Sequence, residues 1–97
     1  MSDEYKFNIS ADPYKIKSVA DFWGEKMPMM CMEECGELIQ AISKVERKGL
    51  NADTRKNLKE EIRDNYISLM AIQQHYNITD AEIKEMISMK LNVKKEK

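Results

Sequence analysis

Carboxylates recur three residues apart inside two stretches of helical apolar spacing: Glu34 with Glu37, and Glu61 with Asp64. That spacing puts both acids of a pair on one helix face, about 5–6 Å apart at Cβ. Two such helices laid side by side bring four carboxylates together. Like charges about 5 Å apart repel by roughly 3 kcal/mol per pair at an effective dielectric near 20. A fold that gathers them needs a cation, protons or basic partners to offset the repulsion. Hard divalent cations such as Mg²⁺ take oxygen ligands of this kind. The pattern thus points to a pairing of helices and to metal-dependent chemistry on a phosphate substrate.

Around the first acid pair the apolar positions are Cys31, Cys35, Leu38, Ile42 and Val45, at steps of four, three, four and three. This is a helical seam of bundle type. Glu34 borders it, and Met30, Glu34, Glu37 and Ala41 form an adjoining row. Pro28 opens this helix, and Gly49 closes it after Arg47 and Lys48, cations favoured near a helix C-terminus. The second acid pair sits on a helix expected from an N-cap at Asp53 or Thr54 to about Tyr76, with Asn77 as its stop. Its apolar stripe is Leu58, Ile62, Tyr66 or Leu69, and Ile72. Glu61 and Asp64 flank the stripe, and Ser68 and Ala71 continue their row.

Two more helices bracket these. Asp12-Pro13 reads as N-cap and first helical residue of a segment reaching Trp23, with Gly24 as its stop. Thr79-Asp80-Ala81-Glu82 fits a capping box that starts a last helix, with Ile83, Met86, Ile87 and Leu91 on its apolar face. No strand signal, internal repeat or low-complexity segment is present. The expected fold is all-α: about four helices in an antiparallel bundle, completed by oligomerisation. One domain spans 1–97, with an arm over 1–11, a helical core over 12–93 and a charged tail over 94–97.

Size supports the expectation of a partner, because a chain of 97 residues buries only about 60–65% of its unfolded surface alone. Sixteen Lys and Arg against 17 Asp and Glu give a net charge of -1, which argues against binding a nucleic acid polymer through its phosphates. No stretch approaches the ~20 apolar residues of a membrane span, and the N-terminus lacks a basic-then-apolar leader pattern. A cytoplasmic protein is expected. Cys31 and Cys35 are the only cysteines, and no second pair completes a zinc site; buried reduced thiols are expected.

The full pattern is Glu33-Glu34-x-x-Glu37 followed by Glu61-x-x-Asp64. It resembles the signature of the MazG-like all-α nucleoside triphosphate pyrophosphohydrolases. The segment Met32-Glu33-Glu34-Cys35-Gly36-Glu37-Leu38-Ile39-Gln40-Ala41-Ile42-Ser43-Lys44 looks like the family's first motif helix. Asn57-Leu58-Lys59-Glu60-Glu61-Ile62-Arg63-Asp64 looks like the second. Lys90-Leu91-Asn92 resembles the last helix of compact, phage-type members. The likeness covers residues 20–94, and the chain departs from it at Met27-Pro28-Met29-Met30 and at Val93. It implies that Glu34, Glu37, Glu61 and Asp64 are Mg²⁺ ligands, with Mn²⁺ as a substitute. It implies that Glu33 lies in the outer shell or positions the attacking water. The implied substrate is a nucleoside triphosphate, cut between its α and β phosphates to a monophosphate and pyrophosphate. The implied assembly is a homodimer or homotetramer whose subunits complete one another's sites.

The remaining candidates are substrate contacts. Trp23 precedes the acid helix, and its aromatic face suits stacking on a nucleobase; a core tryptophan is the plainer reading. Lys44, Lys90, Asn92 and Lys94 are candidates to hold phosphate oxygens. For the acids, the plain reading is a solvated helical surface on which Arg63, Lys59 and Lys44 form pairs worth ~0.2–0.5 kcal/mol each. A di-iron carboxylate bundle needs Glu-x-x-His motifs, and the single histidine, His75, is preceded three residues earlier by Ile72. The alternative to an enzyme is a helical interaction module that keeps the acids as a regulatory or vestigial cation site.

Overall fold

The computed structural model describes the backbone of residues 9–96 and the side chains of residues 9–92. Most of the expected arm, residues 1–8, and the side chains of the tail, Lys94 included, lie outside the described residues. Within them the chain is all-helical: α1 Pro13–Trp23, a 3₁₀ turn Gly24–Lys26, α2 Met27–Lys48, α3 Ala52–His75 and α4 Asp80–Glu96. None of these helices is long and apolar enough to cross a membrane.

Local chemistry sets the boundaries. The Asp12 carboxylate accepts the Tyr14 N–H at 2.9 Å and Pro13 opens α1. Gly24 and Gly49 end α1 and α2 with φ of 52° and 81°, a region costly for any residue with a Cβ. The cap of α3 is Asn51, two residues before the expected Asp53 and three before Thr54. Its side-chain oxygen accepts the N–H groups of Asp53 and Thr54, both at 3.0 Å. Thr54 answers reciprocally, accepting the Asn51 N–H at 2.9 Å and donating to the Gly49 carbonyl at 2.8 Å. Thr54 is thus the third helical residue of a capping box rather than the cap. At α4 the expected box forms: the Thr79 N–H donates to the Glu82 carboxylate at 2.7 Å, and the Glu82 N–H to the Thr79 hydroxyl at 3.2 Å.

Three helices pack together, rather than the expected four. The 22-residue α2 and 24-residue α3 form the main pairing, and α1 lies against the C-terminal half of α3. Asn65 meets Glu34 across the first interface, while Met27 further back on α2 joins Ala71 further along α3; the acid helices therefore run antiparallel. The core is Ile16, Ala20, Met27 and Ala71, backed by Val19, Trp23, Met30, Cys31, Ile67, Met70 and Ile72. By contrast, α4 touches the packed body marginally at most. Its Met86, Ile87, Met89 and Leu91 are exposed, because no other described segment of the chain covers them.

The inward faces differ from the expected seams. On α2, Met27 and Ala41 are buried, while Cys35 and Ile42 are exposed. On α3, Thr54, Asn65, Ser68 and Ala71 are buried, while Ile62, Tyr66 and Leu69 are 39%, 40% and 50% exposed. The row that carries the acids faces the neighbouring helix; of the expected stripes Cys31, Leu38, Val45, Leu58 and Ile72 stay half-buried, while Cys35, Ile42, Ile62, Tyr66 and Leu69 turn outward. Small side chains explain the choice: Ala41, Ser68 and Ala71 let the backbones approach closely, as helix packing favours. The displaced apolar residues form an outer face for which the single chain supplies no cover.

Candidate metal centre

Because the acid rows face each other, carboxylates from both helices converge. Glu34 on α2 and Glu61 and Asp64 on α3 each offer an oxygen, and these oxygens lie within 4.8 Å of one another. All three residues are half-buried. Glu61 Oε1 is completely buried and has no hydrogen-bond partner. A buried carboxylate oxygen left unpaired costs about 1–3 kcal/mol or more, and a cation among the three acids would relieve it. An all-oxygen donor set suits Mg²⁺ or Mn²⁺ rather than a soft metal. The residues present therefore fit the implied ion.

The electrostatics agree with that reading. Burial, followed by the charges of Glu37, Asp64, Glu61 and Glu33, pushes the Glu34 carboxyl above its ordinary value. Burial, then Glu37, Asp64 and Glu60, does the same to Glu61, with Arg63 opposing. Desolvation and like charge both penalise the ionised form, and a bound cation reverses the second effect. One basic group reaches the cluster: Arg63 Nε donates to Asp64 Oδ1 at 2.9 Å. Its side chain is 62% exposed, so this is a weak surface pair.

Beside the acids lies an open pocket of about 270 Å³, lined by Val19, Trp23, Met27, Met30, Ile67 and Ser68 with Glu34 and Asp64 at its polar side. Its walls are mostly apolar, as binding pockets are. Trp23, half-buried and packed edge-on against Phe22 at 5.1 Å, brings an aromatic surface to this pocket.

The sequence candidates divide into those the fold assembles and those it leaves apart. Glu34, Glu61, Asp64 and Trp23 come together. Glu37 stands outside the tight oxygen cluster and is exposed, yet its charge leads the Coulombic influences on both Glu34 and Glu61. Glu33 is exposed beside Glu34. Lys44 lines a separate groove near the α2–α3 connection, with Lys48, Asn51, Asp53, Thr54 and Asn57. Lys90 and Asn92 are exposed on α4 and do not line the acid pocket. Ser68, expected in the acid row, is buried there at 4% exposure, and Asn65, 6% exposed, joins it without having been singled out from the sequence. The signal for Asn65 is a polar side chain one turn beyond Glu61.

No family model matches the chain, and no curated protein or solved structure shows significant similarity to it.

Proposed function

We propose that this chain is a Mg²⁺-dependent nucleotide pyrophosphohydrolase of the MazG-like kind. It would convert a (d)NTP to the (d)NMP and pyrophosphate in the sanitation or control of a cytoplasmic nucleotide pool. The observation that carries the reading is the convergence of Glu34, Glu61 and Asp64 from two helices, beside a pocket that Trp23 helps to line. The resemblance of the motif helices adds the reaction class.

In this reading Glu34, Glu61 and Asp64 hold the ion, with Glu37 as a further ligand. When bound, Mg²⁺ offsets triphosphate charge, polarises a phosphoryl oxygen and lowers the pKa of water. The chain's own residues supply position. Trp23 stacks on the base and fixes the distance between base and phosphates. The apolar wall of Met27, Met30 and Ile67 excludes water from that side. Water attacks the α-phosphorus, the bond to the α–β bridging oxygen breaks, and pyrophosphate leaves. Glu33 orients the water and takes its proton. Phosphoryl transfer depends mostly on such positioning and charge stabilisation.

A second copy of the chain is part of the proposal. The outward row of Ile39, Ile42, Ile62, Tyr66 and Leu69 and, on α4, Met86, Ile87, Met89 and Leu91 are exposed in the single chain. A helix of 17 residues has marginal stability in water without packing. A homodimer or homotetramer would cover these faces and bring Lys90, Asn92 or Lys94 of another subunit toward the acids. Sedimentation of the wild type and of Ile39→Asp/Tyr66→Asp tests this: an assembly is expected for the first and monomer for the second. A monomeric wild type contradicts it.

Pyrophosphate release from a panel of NTPs and dNTPs, with and without EDTA, tests the activity. Glu34→Ala and Asp64→Ala should abolish metal-dependent turnover without unfolding the chain. Full activity in both variants sinks the assignment. The rival reading, a non-enzymatic helical module with a cation site, is favoured by one observation: the single chain brings none of Lys44, Lys90 or Asn92 to the acid pocket. Such a module binds Mg²⁺ or nucleotide and releases no pyrophosphate.

A further inference from the structure

Asn65 occupies an unusual place. It is buried on α3 between Asp64 and Tyr66 and directly faces α2. Its Nδ2 group donates to the Glu34 carbonyl of α2 at 2.8 Å and to the Glu61 carbonyl of α3 at 2.8 Å. A side-chain amide has two N–H donors, so both are used. The two acceptors are the backbone carbonyls of the two residues whose carboxylates face each other across the helix pair. Among the hydrogen bonds of the described residues, this is the one that joins α2 to α3 at the level of the acids.

We infer that Asn65 is the positioning residue of the acid centre: its amide holds Glu34 and Glu61 at the separation that a divalent cation requires. The inference rests on the reading of the acids as a cation site. Three features support it. The contacts are to backbone, so the clamp itself consumes no carboxylate oxygen of Glu34 or Glu61. The donors are neutral, so the clamp adds no counter-charge that would compete with a cation, as a lysine or arginine there would. The geometry needs both hydrogens of one nitrogen. Aspartate offers none when ionised, and leucine fills the volume without a donor.

A clamp of this kind has a cost that a cation site can justify. Without bound metal, the acids repel and tend to spread the helices. The amide bridge opposes that spreading and keeps the oxygens together before the ion arrives. Groups that orient metal ligands from behind typically change metal affinity by about 10–100-fold when removed. Asn65 is thus expected to matter for cation affinity more than for folding, since close packing of Ala41, Ser68 and Ala71 holds the helices together elsewhere.

The test is Mn²⁺ binding, followed by electron paramagnetic resonance on the full chain without nucleotide, for wild type and Asn65→Leu. The expected result is saturable binding by the wild type and an affinity lower by about tenfold or more in the variant, with helix content and melting cooperativity retained. Equal affinity in a folded Asn65→Leu overturns the inference while leaving the cation site standing. Absence of saturable binding by the wild type overturns both. Should Asn65→Leu fail to fold, the wild type alone decides by NMR. The Asn65 side-chain amide pair is expected to shift in step with Mg²⁺ occupancy, while the side-chain amide of Asn51, at the far end of α3, stays still. An unmoved Asn65 pair in Mg²⁺-saturated protein refutes the inference.

Discussion

Neutralising Glu61 without changing its shape should make the metal-free protein more stable and remove its response to Mg²⁺. The oxygens of Glu34, Glu61 and Asp64 lie within 4.8 Å of one another, so each ionised pair repels by ~0.9 kcal/mol at the dielectric of water and ~3.5 kcal/mol at an effective dielectric of 20. Glu61→Gln relieves two of these pairs, a gain of ~2–7 kcal/mol between those limits. Solvent reaches the half-exposed Asp64 and places the expectation at the lower end, about 2 kcal/mol. The buried unpaired atom at the Glu61 Oε1 position persists in the glutamine, so that penalty changes little. For a domain of this size, about 2 kcal/mol raises the melting temperature by roughly 8–16 °C. Mg²⁺ at a hundred times its dissociation constant stabilises the wild type by ~2.7 kcal/mol, and the variant should lose most of that. Thermal melts of both proteins in EDTA and in Mg²⁺, at pH 7.5, read both effects. The expected signature is a large gap in EDTA, with the variant higher, that closes or inverts in Mg²⁺. A variant that melts at or below the wild type in EDTA, with an undiminished Mg²⁺ shift, would mean that Glu61 neither repels its neighbours nor binds the ion.

Other outcomes follow from the same geometry. The Glu34 and Glu61 carboxyls are raised from an ordinary value of 4.5, so the folded chain holds their protons more tightly than the unfolded one. Their contribution to stability is full below that value and is lost as pH rises through the raised folded value; in EDTA this should appear as an acid-site component of the melting temperature that falls as pH rises above 4.5, and Mg²⁺ should flatten it. Glu82 is lowered by the Thr79 N–H, so its cap is lost as pH falls, and hydrogen exchange should report fraying of the start of α4 in acid. Ala71 is fully buried at 0% exposure, and Ala71→Leu should cost about 1–3 kcal/mol by overpacking, read by urea denaturation; no loss would mean that α1 and α3 pack less closely than described. On the proposed stacking, Trp23→Ala removes ~1–3 kcal/mol, raising the nucleotide dissociation constant about fivefold or more while leaving Mn²⁺ affinity unchanged.

Much of this architecture can be read in the sequence because it is written in local chemistry. Asp12-Pro13, Gly24, Gly49 and the Thr79–Glu82 pair mark helix ends through groups that bond within one turn. The acid rows are equally legible, since an i, i+3 spacing has one geometric meaning on a helix. Harder to read is which of two adjacent rows turns inward. Cys35, Ile42, Ile62, Tyr66 and Leu69 satisfy the helical period as well as Ala41, Ser68 and Ala71 do. Periodicity alone favours the more apolar row; close backbone approach favours the smaller one, and here the smaller one wins. The displacement of Thr54 from N-cap to third position has a similar origin, because Asn51 and Thr54 can each cap a helix and only their reciprocal bonds decide. Separation of α4 from the other helices could not be read from its capping box, which starts a helix without saying where it packs. Asn65 was hidden by company: among five neighbouring charged or polar residues, an amide that bonds two backbone carbonyls looks like any other.

The proposed cleavage between the α and β phosphates is tested most directly by following the oxygen of water. Each member of a (d)NTP panel is incubated with the chain in ¹⁸O-labelled water with Mg²⁺, with an EDTA control, and the products are read by ³¹P NMR and mass spectrometry. The proposed reaction gives a nucleoside monophosphate carrying one label, unlabelled pyrophosphate, and no products in EDTA. Label in the pyrophosphate, release of orthophosphate with a diphosphate, or turnover that persists in EDTA would contradict it.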